Sequence, residues 1–124
     1  MPQLLIALAL AAQPAPAPAP AEGWTEINRD ANRIALYDAA RLTRRGDMVR
    51  FTLRFDLLQA DEGAVRRTHD TEVDCARRTV RMLSAVDTDA EGRIVRTLEV
   101  PPDLALHRPI PEGPGQEMLA RVCG

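Results

Sequence analysis

Few side chains in this chain have the types and spacing that chemistry requires. His69-Asp70 together with Ser84, the single serine, supplies the components of a hydrolytic triad. A serine nucleophile also needs a strained turn that exposes its oxygen and donors for the oxyanion, and neither signature surrounds Ser84. The expected reading is therefore a surface histidine on one strand and a serine in another. Asp87-x-Asp89-x-Glu91-Gly92 imitates the start of a calcium loop, but the twelfth position, where a bidentate glutamate belongs, is Leu98. An acidic turn is expected there. His69 and His107 lack ligand-like spacing to other donors, so no metal and no cofactor is expected.

Two groups remain. Cys75 and Cys123 are the only cysteines, and they form no Cys-x-x-Cys pair. In an exported chain an even count reads as a disulfide; two free thiols or a bridge between chains are the other readings. Arg66, Arg67, Arg77, Arg78 and Arg81 form a dense basic stretch. They are candidates for a patch that takes an anionic polymer or an acidic protein. The competing reading is a neutralised face, in which Asp70, Glu72 and Asp74 pair with them.

The elements that must position these residues begin after residue 21. Leu4-Leu5-Ile6-Ala7-Leu8-Ala9-Leu10-Ala11-Ala12 is an apolar run of export-signal length, with small residues following it. It is shorter than the roughly 20 apolar residues that span a bilayer. Residues 1–12 are read as an export signal, cleaved after Ala11, Ala12 or as late as Ala21. An apolar tail on a cytosolic chain is the other reading. Residues 13–23 hold an alternating Pro/Ala tract, read as an extended spacer because proline fixes φ and donates no backbone hydrogen bond. About one hundred residues are left, enough for one domain with one modest core.

In that domain residues 48–57 alternate strictly. Val49, Phe51, Leu53, Phe55 and Leu57 share one face, and Arg50, Thr52, Arg54 and Asp56 share the other. Period two over that length predicts a half-buried antiparallel strand. Shorter strands are expected at 24–28, 33–38, 68–76, 79–85 and 93–100, with turns at Arg45-Gly46-Asp47, Asp61-Glu62-Gly63 and 87–92. Pro101-Pro102 ends the last strand. Leu119, Val122 and Cys123 then recur at helical spacing, with Pro114 suited to a first turn and Gly124 to a cap. A helix so short is marginal alone and needs a covalent or packed anchor.

Composition excludes some classes of function. Sixteen basic residues, all arginine, face eighteen acidic ones for a net charge of −2. Such a balance gives no general pull toward nucleic acid or anionic membranes. Trp24, Tyr37, Phe51 and Phe55 are the only aromatic residues, too few for stacking platforms.

Together, Trp24-Thr25-Glu26-Ile27, Leu36-Tyr37-Asp38 with Arg41-Leu42, the alternating strand, Glu72-Val73-Asp74-Cys75 leading into Arg77-Arg78, and Val122-Cys123 resemble the surface-adhesin protein E family of Gram-negative bacteria. The resemblance covers residues 24–124. It implies an α+β domain: one antiparallel sheet of about six strands, with a C-terminal helix disulfide-linked to one face through Cys75 and Cys123. It implies no catalysis and a periplasmic or surface location. The founding member is an outer-membrane adhesin that binds host matrix proteins and can dimerise. Two departures are visible: no cysteine near the candidate cleavage sites, and Leu106-His107-Arg108-Pro109 where the family usually has a tryptophan. The expected function is a non-enzymatic binding module for a host or envelope protein or polymer. The alternative is an envelope-maintenance protein whose partner is another envelope protein or its own copy.

Overall fold

The structure is a computed structural model that describes residues 23–124; the expected export signal and all but the last residue of the spacer lie outside the described residues. The described residues form β1 (Trp24–Arg29), β2 (Arg33–Asp38), a 3-10 turn (Ala39–Arg41), β3 (Thr43–Arg45), β4 (Met48–Asp61), β5 (Ala64–Asp74), β6 (Thr79–Thr88), β7 (Ile94–Glu99), β8 (Arg108–Pro109) and one helix, α1 (Pro114–Cys123). All strand pairs are antiparallel, in the order β1-β2-β4-β5-β6-β7. The sheet thus has eight strands in six rows. β3 pairs the Met48 end of β4 in line with β2, and β8 pairs the Thr79 end of β6 in line with β7.

Alternation sets the two faces. Val49 pairs with Val73 and Val73 with Val80, so these apolar residues stack on one side. Phe55 pairs with Ala35 on the same side. That face carries α1, whose Met118, Leu119 and Val122 join Ile27, Tyr37, Val49, Phe51, Phe55, Val73 and Ile110 in the core. Val49, Val73 and Val122 are fully buried. Tyr37 and Phe51 meet edge to face with centroids 6.3 Å apart, an orientation that places a positive ring edge on a negative face.

The turns follow local chemistry. Glu62 and Gly63 take φ of 50° and 89° between the paired Asp61 and Ala64, the two-residue hairpin geometry that matches strand twist. Leu58 donates its N–H to Asn32 O as β4 runs past its neighbour. Pro114 opens α1, and Gly124 closes it by donating to Ala120 O. The helix is closed covalently as well. Cys75 and Cys123 are joined, Cα to Cα 5.8 Å, and the Cys75 N–H donates to Asp47 O at 2.8 Å.

Candidate functional site

The helix runs diagonally and covers only part of its face. Pro114 and Met118 lie over Ile27, Ala35 and Phe55, and the far end reaches Cys75. On the β5–β7 side, His69, Met82, Ala85 and Leu98 line an open hollow of about 440 Å³. Its neighbour, about 390 Å³, shares His69 and Met82 and extends under Val100, Leu104 and Leu106. The uncovered half-face is mostly apolar because it continues the same inward alternation that builds the core.

One end is closed by ions. Asp87, almost buried, accepts from Arg96 Nη2 at 2.8 Å and from Arg67 Nε at 3.3 Å. Arg96 also reaches Glu62 at 2.6 Å, and Arg67 pairs with Asp61. The Arg67 hydrogen bond holds the Asp61 carboxyl below its usual range and raises Arg67 in turn. His69 packs edge-on to Phe55 with centroids 5.3 Å apart. Burial lowers its pKa; Asp87 opposes that shift, while Arg67 and Arg33 add to it. Arg33 itself lies over the Phe55 ring at 4.3 Å.

The other side is formed by the segment between β7 and β8, tied to the sheet at two alternate residues. Ala105 is buried, and its carbonyl accepts from Arg81 at 3.3 Å. His107 bridges Thr79 Oγ1 and Glu72 Oε1, each at 3.1 Å. Glu72 also accepts from Arg81 at 2.8 Å. Leu106 between these ties and Leu104 before them are each 66% exposed.

The hydroxyl, imidazole and carboxylate of Thr79, His107 and Glu72 are ordered like a proton relay. Neither the hollow along this segment nor the one around β3 is lined by Thr79, and Glu72 is already committed to Arg81. The cluster ties the segment after β7 to β5 and β6. Sequence spacing could not show it, since His107 lies 28 and 35 residues from its partners.

The opposite face has no covering element among the described residues and is laced with ion pairs. Arg50 grips Asp70 through two bonds, at 3.0 and 2.5 Å. Asp56 accepts from Arg54 and from Arg66. Burial raises the Asp56 carboxyl, but its two guanidinium partners outweigh that and hold it below the ordinary value. Arg54 also lies over the Trp24 ring at 5.1 Å.

The structure does not gather the five arginines of the dense stretch on one surface. Arg66 and Arg67 are consecutive in β5, so they point to opposite faces, toward Asp56 and toward Asp61 with Asp87. Arg77 and Arg78 sit in the β5–β6 turn, Arg77 4.0 Å from Asp74 and Arg78 bonded to Gln116. Arg81 pairs with Glu72. Glu72 and Asp74 are thus partners as expected, whereas Asp70 is taken by Arg50. The triad residues are separated too. Asp70 faces Ser84 across the strand pair on the open side, while His69 faces Ala85 on the helix side. In the acidic turn Asp89 accepts from the N–H groups of Glu91 and Arg93, and these bonds lower its pKa. No group of three metal-ligating side chains occurs among the described residues.

The model of the surface-adhesin protein E family matches residues 24–124, the extent of the sheet and its clamped helix. The chain belongs to the surface-adhesin protein E family. No curated protein and no solved structure matches it. Membership in surface-adhesin protein E suggests an exported surface protein with an adhesin-like binding role. No helix among the described residues is long and apolar enough to cross a membrane.

Proposed function

We propose that this domain is a surface-displayed, non-enzymatic binding module that takes an extended, partly apolar segment of a matrix protein along β7 and the uncovered half-face beside it. One observation carries the reading. Of the six large apolar side chains exposed on the domain, Ile94, Val95, Leu98, Leu104 and Leu106 lie on β7 or the segment after it, and only Leu58 lies elsewhere. A concentration of exposed apolar side chains along one edge of a small domain marks an interaction surface. β7 ends the strand order, so its outer backbone groups are available for strand addition, with alternate side chains giving selectivity. The exposure of Leu106 is imposed by ties on either side of it, at Ala105 and His107, and Leu104 adjoins the first of them. It is built, not frayed.

The test is binding of the mature domain to a panel of immobilised matrix and bacterial envelope proteins, beside Leu98→Asp and Leu106→Asp. Both residues are exposed, so both variants should melt like the parent. At least one matrix protein should bind, and each variant should weaken it by about tenfold, the 1.4 kcal/mol that a central contact exceeds. Binding that neither variant alters would move the site. Binding restricted to envelope proteins would replace the adhesin role by envelope maintenance.

A further inference from the structure

Arg44 and Arg45, like Arg33, Arg78, Arg108 and Arg121, are left without a carboxylate among the described residues, and with Arg41 the first two sit around β3. The 3-10 turn Ala39–Arg41 ends the β2 row, and the chain re-enters beside β4 as three exposed residues, Thr43, Arg44 and Arg45. Neither Arg44 nor Arg45 has a carboxylate within 4.0 Å among the described residues, although most other arginines do. Arg41 is 88% exposed and 3.8 Å from Asp38. Two adjoining hollows open here. One, about 350 Å³, is lined by Thr43, Arg44, Arg45, Arg50 and Glu72. The other, about 230 Å³, is lined by Arg41, Thr43, Arg50, Thr52 and Asp70. The carboxylates in both walls are spent, Asp70 on Arg50 and Glu72 on Arg81 and His107. Arg44 and Arg45 thus stand uncompensated, with the exposed Arg41 at 3.8 Å from its one acid, around concave, hydroxyl-bearing surface where an oxyanion would take bidentate bonds.

We infer that the β3 corner is a binding site for a sulfated glycan, in which Arg44 and Arg45 reach one hollow from the two faces of β3, Arg41 takes the next sulfate, and Thr43 and Thr52 face the sugar between. Two hollows that share Thr43 and Arg50 suit successive anions on one stiff chain. Phe51, the only aromatic residue in either wall, is buried, so no ring is offered to a nucleobase. The large exposed apolar side chains all lie outside these hollows, so nothing here would enter the acyl layer of a membrane. The site goes beyond the β7 reading, uses none of its residues, and stands or falls separately.

The experiment titrates the full exported chain with a heparin-derived octasaccharide, its desulfated counterpart and vesicles containing anionic lipid, over a range of salt. Arg44→Ala/Arg45→Ala is compared with Arg77→Ala/Arg121→Ala, which removes the same charge from exposed positions outside the hollows. Both doubles should melt like the parent. Affinity for the sulfated chain should fall at least about tenfold in the first double and less than about twofold in the second. The salt slope should flatten by about two in the first. Equal losses in both doubles, equal affinity for the desulfated chain, or vesicle binding without glycan binding would each overturn the assignment.

Discussion

Replacing both cysteines by serine should lower the stability of the domain by about 4 kcal/mol. Cys75 and Cys123 are 48 residues apart, and tying a loop of that length withdraws about this much chain entropy from the unfolded state. For a domain of this size each kcal/mol moves the melting midpoint by roughly 4–8 °C, so the expected drop is on the order of 20 °C. The loss should also be uneven. α1 has ten residues, below the about 12–15 that an isolated helix needs in water, and Met118, Leu119 and Val122 are its buried anchors. Without the bond, amides in α1 should lose protection from exchange before those of β4 and β5, where Val49 and Val73 are sealed. Thermal and denaturant melts give the total, and hydrogen exchange followed by residue gives its distribution. A midpoint that moves by less than about 5 °C would refute the entropic magnitude. Helix amides that exchange only together with the sheet would refute the clamp.

Helix propensity says that Gly115→Ala should stabilise α1 by up to about 1 kcal/mol, but a Cβ there would lie 2.8 Å from Ile110 Cγ2 and 3.4 Å from Pro111 Cδ. Ile110 is buried in the core, so a net loss of about 1–3 kcal/mol is expected in urea melts, and any gain would mean the Ile110 contact yields freely. Burial lowers His69 from its ordinary 6.5, so the unfolded chain takes up the proton first as pH falls. His69 therefore leaves stability intact above about pH 6.5 and erodes it as pH drops toward the folded-state value. His69→Gln should flatten the melting-temperature profile between about pH 7 and 5; an unchanged slope would show that His69 is not the group responsible.

Much of the architecture was legible because strong alternation leaves little freedom. Val49, Phe51, Leu53, Phe55 and Leu57 could bury together only in a strand, and the structure extends that strand to Asp61. Helical spacing around Leu119 and Val122, with Pro114 before and Gly124 after, located α1 to within two residues of its observed start. What was missed were the shortest pieces. β3 is three exposed residues and β8 is two, one of them Pro109. Neither is long enough to show a period, and each exists because a long neighbour offers unpaired backbone at Met48–Arg50 or at Thr79–Val80. β5 also starts four residues earlier than its apolar pattern suggests. Ala64 is buried at its start, but Arg66 and Arg67, which follow, are held by acids on both faces and show no apolar period.

The charged surface was harder to read, for a reason that register makes plain. In the sequence the candidate patch was residues 66–81, yet a guanidinium is free or spent according to what stands opposite it. Once Val49 is set against Val73, Arg50 must face Glu72 and Thr52 must face Asp70. Those two carboxylates then decide which cations they neutralise on neighbouring rows, Arg50 on one side and Arg81 on the other. Arg44 and Arg45 are left over because β3 pairs with β4 across Val49 and Met48, apolar positions that supply no acid. A surplus of charge on a sheet is thus a property of the pairing table, invisible in any single segment. The same table explains why most arginines of residues 66–81 are paired with acids while Arg44 and Arg45 keep their charge.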